Sequence, residues 1–138
     1  MGSEMYIRDR GALGLMQVMP RTGRQTAKEL NLKWHGNRTL INPSTNIRIG
    51  SYYLAKQLHR FGHPALATAA YNAGPHRVKQ WMPYEAMPLD VWVASIPFTE
   101  TRNYVQRVLT AQVIYEWRYN GVIKRLDEVA ASQITSKE

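Results

Sequence analysis

The chain has 138 residues, no cysteine and a formal net charge of +8. That length suits one domain with a real buried core. The absent thiols exclude a disulfide framework and a thiolate metal site, no apolar run approaches a membrane span, and the positive balance points to acidic partners: nucleic acid, anionic lipid or an acidic polymer.

Met1 to Arg10 is polar and charged, without a helical period or the apolar core of a signal peptide. Glu4, Arg8, Asp9 and Arg10 read there as a solvated face. The next stretch is Gly11-Ala12-Leu13-Gly14-Leu15-Met16-Gln17-Val18-Met19-Pro20. It sets one amide, Gln17, in an apolar run with two glycines. Its plainer reading is a buried helix turn closed by Pro20. Its functional reading is a pocket wall, apolar with one placed polar group, where glycine admits a close approach.

From Pro20 and Thr22 the pattern predicts a helix over about Arg21 to Leu30, burying Ala27 and Leu30 and stopping at Asn31. Lys33 to Asn42 reads as loop. His35, inside it, has no partner at ligand spacing and reads as a surface residue rather than a metal ligand. Asn42-Pro43-Ser44-Thr45-Asn46 reads as a helix start, with Pro early and a capping side chain available. Ile47, Gly50, Leu54, Leu58 and Phe61 then recur at three- and four-residue intervals, the mark of a one-faced amphipathic helix. Gly50 would let a second helix pack close, and Gly62 would stop the helix. His59 and His63 flank that end, where positive charge suits the helix dipole.

Pro64 opens an alanine-dense helix, read as central and closely packed, that ends in Tyr71-Asn72-Ala73-Gly74-Pro75. His76 to Met82 predicts a short helix with Val78 and Trp81 inward. Met82 to Pro88 reads as loop, and Leu89 to Ile96 as a short apolar helix ended by Pro97. Thr99 is the expected N-cap of the last long helix. Along it Val105, Leu109, Val113 and Trp117 repeat every fourth residue and should face the core. Glu100 falls in its first turn, where a carboxylate complements the dipole. After Gly121 the chain reads as a loosely held polar tail, 121–138, with one or two helical turns. No strand-like alternation stands out. The expected fold class is therefore all-α.

Three motifs stand in order: Gly11 to Pro20, Ala69-Ala70-Tyr71-Asn72-Ala73-Gly74-Pro75, and Ser95-Ile96-Pro97-Phe98-Thr99-Glu100-Thr101-Arg102-Asn103-Tyr104-Val105. At this spacing they closely resemble the catalytic domain of bacterial soluble lytic transglycosylases, the SLT domain of the lysozyme-like superfamily. The resemblance runs from about Gly11 to about Tyr119. It implies a lysozyme-like multi-helix domain over 1–120, packed around one central helix. It implies cleavage of the β-1,4 bond between N-acetylmuramic acid and N-acetylglucosamine without water, leaving a 1,6-anhydro sugar. One carboxylic acid serves: it protonates the leaving oxygen, then takes the proton of the attacking C6 hydroxyl. An apolar pocket would raise the pKa of such a group. The scheme departs from the two-carboxylate pattern of most glycosidases. No cofactor and no metal are implied. The partners are peptidoglycan glycan strands rather than nucleic acid, the chain acts as a monomer, and the setting is the periplasm or cell envelope of a bacterium.

In the family the acid belongs to a Glu-Ser pair shortly before the first glycine motif. Laid on this chain, the pair would fall upstream of Met1. Ser3-Glu4 is reversed in order and stands closer to Gly11. The resemblance thus implies a domain truncated at its N-terminus, with Glu4 the candidate acid inside the chain and a peptidoglycan-binding-only relative as the alternative. Met16, Gln17 and Met19 match the cleft wall, with Gln17 able to bond an N-acetyl group or a sugar hydroxyl. Tyr71 matches a tyrosine near the acid and the reacting sugar, and Asn72 its partner in the same motif. Tyr104 is a further substrate contact. Glu100 matches a second carboxylate that positions groups rather than donating a proton. Arg8 replaces a small polar residue, which leaves the muramic-side contact open. Without the family, Tyr71 reads as a core aromatic whose hydroxyl finds a buried partner, and Glu100 as a capping residue. The rival reading of the charge is a basic helical module for nucleic acid, but no zinc-finger spacing and no RNA-recognition aromatic motif accompanies it.

Overall fold

The computed structural model describes residues 11–135, except for the side chain at position 126. Glu4 and Arg8 lie outside the described residues. The chain divides into two compact units, Met1–Lys56 and Gln57–Glu138. Among the described residues, no helix is long and apolar enough to cross a membrane.

In the first unit, Gly11 to Val18 is a tight hairpin, not the helix turn that its apolar content allowed. Leu13 and Val18 exchange both backbone hydrogen bonds at 3.0 Å. The reversal uses positive φ at Gly14 (75°) and at Gln17 (49°). Helix α1 (Pro20–Glu29) follows, with proline in its first turn. There its missing N–H costs nothing, because that donor has no partner inside a helix. Helix α2 (Asn37–Ile41) occupies part of the stretch read as loop. Gly36 turns the chain at φ 70°. Thr39 Oγ1 accepts from the His35 N–H at 2.8 Å, and buried Leu40 anchors the turn. Such tertiary anchoring decides a five-residue helix, whose own propensity is too weak to show in sequence. The core of this unit gathers Val18, Ala27, Leu40 and Ile49, with Met16, Leu30 and Trp34 packed against them.

Helix α3 (Pro43–Phe61) starts where the sequence indicates. Asn42 Oδ1 accepts from the Thr45 N–H at 3.0 Å and closes its N-terminus. Its inward line is another matter. Asn46, Ile49, Gly50 and Gln57 are buried, whereas Ile47, Leu54 and Leu58 are exposed. The buried stripe is rotated by about one residue from the apolar one, or about 100° around the helix. Two buried amides displaced it. At Gly50 a Cβ would stand 2.6 Å from Met16 Sδ, so glycine makes room there for the hairpin.

The second unit is built on helix α4 (Pro64–Ala73). Ala65 to Ala70 are buried without interruption, so the helix is enclosed on every side. Small side chains let neighbours approach such a helix closely. Its N-cap is His63, whose Nδ1 accepts from the Ala65 N–H at 3.0 Å. This corrects the reading of His63 as a cation at a helix C-terminus: an accepting ring nitrogen carries no proton. Helices α5 (Pro75–Gln80), α6 (Leu89–Ser95) and α7 (Thr99–Asn120) follow. Trp92, fully buried, donates its indole N–H to the Trp81 carbonyl at 3.0 Å, which satisfies the one polar atom it brings inside.

Helix α7 packs on α4 through its first half, where Thr101 and Val105 are buried. Its second half does not face the core as expected. Trp117 is 59 % exposed, and Tyr115 stacks on Tyr119 at 5.7 Å in the open. The central helix of this unit is α4, as its alanine density indicates. The segment after Gly121 also departs from a loose tail. Helix α8 (Leu126–Ala130) leads into strand β2 (Gln133–Ile134), antiparallel to β1 (Met87–Pro88), with Met87 opposite Ile134. Ile134 is 1 % exposed and belongs to the core of this unit. Two-residue strands are too short to alternate, so no period announced them.

Candidate functional site

The expected site residues fall on two separate supports, one in each unit. Met16, Gln17 and Met19 sit on or beside the hairpin of the first unit. Tyr71, Asn72, Glu100 and Tyr104 sit where the end of α4 meets the start of α7. Glu4 is among the residues not described.

The hairpin is held by a residue the sequence reading passed over. Asn46, fully buried on α3, accepts from the Met16 N–H at 2.9 Å. Its amide nitrogen donates to the carbonyls of Leu13 at 2.8 Å and Leu40 at 3.0 Å. One side chain thus ties the turn to Leu40 and gives the Leu13 carbonyl a second donor beside the Val18 N–H. Gly14 is part of the same arrangement: a Cβ there would stand 2.2 Å from Asn46 Nδ2. In the sequence Asn46 stands out only as helix-start chemistry. The available signal is its place three residues before Ile49, on the same face of the helix.

Fixed in this way, the hairpin presents Gln17. Its Nε2 donates to the Gly14 carbonyl at 2.9 Å. The side-chain oxygen and the second N–H stay available among the described residues. Gln17 is exposed, and its left-handed φ is unusual for a residue with a side chain. Met16 and Met19 are half-buried beside it. The surface so formed is apolar with one aimed amide.

In the second unit Tyr71 and Asn72 occupy the last turn of α4, both half-buried. Gly74, at φ 94°, ends the helix with its N–H on the Ala70 carbonyl at 2.8 Å. Thr101, 1 % exposed, donates its hydroxyl to Asn72 Oδ1 at 2.7 Å. That bond fastens the tyrosine turn to the first turn of α7. Glu100 is half-buried next to Thr101, and Tyr104 lies one turn further on the same side of α7. Burial raises the Tyr104 phenol above its ordinary pKa, with Arg107 opposing in part. The phenol is therefore a neutral donor at physiological pH.

The approach to α7 is braced by cations and rings. Phe98, not Thr99, is the N-cap, and no side-chain cap bond forms. Arg77 lies over the Phe98 ring at 4.5 Å, and Trp81 meets that ring edge-on at 5.3 Å. Arg102 donates to the Ile96 carbonyl at 3.1 Å and to Thr99 Oγ1 at 3.3 Å. These contacts fix where α7 begins, hence where Glu100 stands. A carboxylate acceptor, a phenol and an amide held in this way can orient sugar hydroxyls. Among the described residues, no three His, Asp or Glu side chains gather as metal ligands.

Residues 2–88 match the transglycosylase SLT domain family, and residues 95–122 match the soluble lytic transglycosylase helical domain. The chain is 45 % identical over 109 residues to a soluble lytic murein transglycosylase of Salmonella typhimurium, covering 76 % of this chain and 17 % of that protein. It is 42 % identical over 111 residues to the soluble lytic murein transglycosylase of Escherichia coli K12, covering 78 % and 17 %. Among solved structures, an inactive Glu-to-Gln mutant of lytic transglycosylase Slt from Pseudomonas aeruginosa superposes with a TM-score of 0.74 at 46 % identity, covering 80 % of this chain and 18 % of that one. The 70 kDa soluble lytic transglycosylase of Escherichia coli superposes with a TM-score of 0.69 at 35 % identity, covering 86 % and 19 %. The chain thus spans less than a fifth of the length of these relatives.

Proposed function

Because the chain belongs to the transglycosylase SLT domain family, with its all-α lysozyme-like fold, we propose that it acts on peptidoglycan glycan strands in a bacterial cell envelope. The reaction is cleavage of the muramic acid to glucosamine β-1,4 bond, with formation of a 1,6-anhydro end. The observation that carries this reading is the Thr101–Asn72 bond at 2.7 Å. It supports a fixed relation between the Tyr71 turn and the Glu100 turn, the two supports of a reacting sugar.

In this reading the Gln17 amide bonds an N-acetyl group or a sugar hydroxyl, and Met16 and Met19 supply the apolar wall. Tyr71 contacts the reacting sugar, with Asn72 as its partner in the same motif. Glu100 accepts from sugar hydroxyls and stays a positioning carboxylate. Tyr104 adds a phenolic donor. The proton itself must come from a carboxylic acid kept protonated near neutral pH. The inactive Pseudomonas relative is a Glu-to-Gln mutant, which agrees with a glutamate that the activity of that protein needs. Within this chain Glu4 is the candidate for that role.

The test is release of 1,6-anhydromuropeptides from purified peptidoglycan by the chain and by Glu4→Gln. Release by the chain and its loss in the variant support both the reaction and the assignment. Equal release by both removes Glu4 from the chemistry. Retention on insoluble peptidoglycan without release supports the binding-only alternative. Binding to duplex DNA with a steep salt dependence, and none to peptidoglycan, overturns the proposal.

A further inference from the structure

Helix α7 is longer than the body it packs on. Beyond Thr110 none of its residues is buried. Among the described residues, six of the fourteen large apolar side chains that are exposed fall in one short stretch: Ile114, Tyr115, Trp117, Tyr119, Val122 and Ile123. The other eight are spread from Leu15 to Val91. An apolar patch of this density is uncommon on a monomer and marks a contact surface.

The patch has a fixed form. Ile114, Trp117 and Arg118 stand three and four residues apart, so they share one face of the helix. Tyr115 and Tyr119 lie on the neighbouring line, their rings stacked at 5.7 Å. Gly121, at φ 66°, ends the helix with its N–H on the Trp117 carbonyl at 3.1 Å. The chain then turns back, and Lys124 Nζ meets Glu116 Oε2 at 2.9 Å. Val122 and Ile123 are thereby held beside the helix end, with Ile123 77 % exposed. The charge around them is one-sided. From Ile114 to Arg125 there are three cations, Arg118, Lys124 and Arg125, and one carboxylate, Glu116, three minus one leaving a net charge of +2. Lys124 neutralises Glu116, and Arg125 pairs with Asp127 at 3.0 Å. Arg118 has no carboxylate partner among the described residues.

Three kinds of occupant would meet this patch differently. A second copy would set two positive patches face to face, and like charges across an interface repel. Duplex nucleic acid would use the cations, but Ile114, Val122 and Ile123 gain nothing against phosphates. An anionic lipid surface uses both halves of the patch. Trp and Tyr rings settle at the headgroup layer, where one edge is wet and the rest apolar. Ile114 and Ile123 can reach the acyl boundary, while Arg118 lays its stem along the patch and keeps its guanidinium at the lipid phosphates. From Ile114 to Tyr119 the helix advances about 7.5 Å, a match to the roughly 5–10 Å that interfacial helices penetrate. Among the described residues no helix is long and apolar enough to cross a membrane, so such a contact stays at the surface.

We propose that the exposed end of α7 docks on an anionic lipid surface, with Ile114, Trp117 and Ile123 entering the headgroup boundary and Arg118 on lipid phosphates. Trp117 stands about 25 Å along the helix from Glu100, so docking leaves the other end of α7 open. The proposal goes beyond the glycan reading and does not depend on it.

The test is co-sedimentation of the intact chain with two kinds of vesicle at fixed ionic strength, phosphatidylcholine alone and phosphatidylcholine with about one-third phosphatidylglycerol. It is repeated with W117Q/I123Q, with R118E and with Y84Q, after circular dichroism and thermal melts show them folded like the parent. All four positions are exposed, and Tyr84 lies outside the patch. The parent should bind the anionic vesicles at least about tenfold more tightly than the neutral ones, and added salt should narrow the difference. W117Q/I123Q and R118E should each bind the anionic vesicles about tenfold more weakly or worse, the first through lost apolar contact and the second through a reversed charge. Y84Q should bind as the parent does. Failure of the parent to bind anionic vesicles overturns the proposal. So does binding that survives in both patch variants, or a loss in Y84Q equal to theirs. A parent that self-associates in sedimentation velocity without binding vesicles, with W117Q/I123Q monomeric, would make a second copy the occupant. Duplex DNA held by the parent and released by R118E, again without vesicle binding, would make it nucleic acid. Either result overturns the lipid surface.

Discussion

The Thr101 hydroxyl donates to Asn72 Oδ1 at 2.7 Å, joining two residues 29 positions apart in the chain. Thr101 is buried, so its hydroxyl has no bulk water to turn to in place of Asn72. Thr101→Val keeps the shape and removes the donor. It should lower the unfolding free energy by about 1 kcal/mol in urea titration, the usual net worth of one hydrogen bond. Thr101→Ser should retain most of that stability. If the bond also positions the tyrosine turn, Thr101→Val will lower the turnover of glycan strands further than its melting shift accounts for.

Asn46 should be less forgiving. Asn46→Leu fills nearly the same space but abandons the Met16 N–H and the Leu13 and Leu40 carbonyls together. The Leu13 carbonyl keeps the Val18 N–H, so the loss of the other two bonds in a buried setting puts the expected cost at about 2–4 kcal/mol. Asn46→Asp preserves the acceptor for Met16 but turns a donor toward two carbonyls into a charge, and should also unfold early. Urea unfolding of both variants checks the ranking. A loss below about 1 kcal/mol in Asn46→Leu would mean that the hairpin does not depend on this side chain.

These two residues show where sequence reading stops. The alanine run of α4 was legible because a helix buried on all sides needs small side chains everywhere, a local property. Helix starts at Pro20, Pro43 and Pro64 were legible for the same reason: proline announces them through its own backbone. The inward face of α3 was not. Its apolar residues Ile47, Leu54 and Leu58 face outward, and the buried positions hold Asn46 and Gln57. What selects Asn46 is the need of a hairpin 30 residues earlier, and no local period records that need. The site motifs could be placed by resemblance. The residues that support them, Asn46 and Thr101, could not, since each acts through a partner remote in the chain. The same limit explains Ile134, which enters the core by pairing with Met87 across the unit.

His63 predicts a pH dependence with a definite sign. Its Nδ1 must be unprotonated to accept from Ala65. Ser132 Oγ gives its proton to the Val129 carbonyl at 2.8 Å and meets His63 Nε2 at 3.4 Å, which suits a proton on Nε2. The folded ring is thus neutral, and burial lowers its pKa below the ordinary 6.5. As pH falls through that value the unfolded chain takes up the proton first. Stability is therefore complete above about pH 6.5 and declines below it. His63→Asn keeps an N-cap acceptor without a titrating ring. Thermal melts between pH 7.5 and 5 should show a decline in the parent and a flatter profile in the variant. Equal slopes would remove His63 from the titration.

Tyr71 offers the cleanest separation of structure from chemistry at the proposed site. The residue is half-buried on the last turn of α4, so its ring contributes packing that Phe would keep. Tyr71→Phe should therefore melt within about 1 kcal/mol of the parent, as a conservative change that removes one hydroxyl. If the hydroxyl holds the reacting sugar beside the acid, kcat for 1,6-anhydro product should fall by about 10- to 100-fold, a loss of about 1.4–2.7 kcal/mol of transition-state stabilisation. Binding of peptide-free strands should change little, because an interaction made mainly in the transition state shows in kcat rather than in KM. A rise in KM at constant kcat would move Tyr71 to ground-state binding. Unchanged kinetics in a folded variant would restore the plainer account, in which the ring only fills the core and the hydroxyl has a purely structural partner.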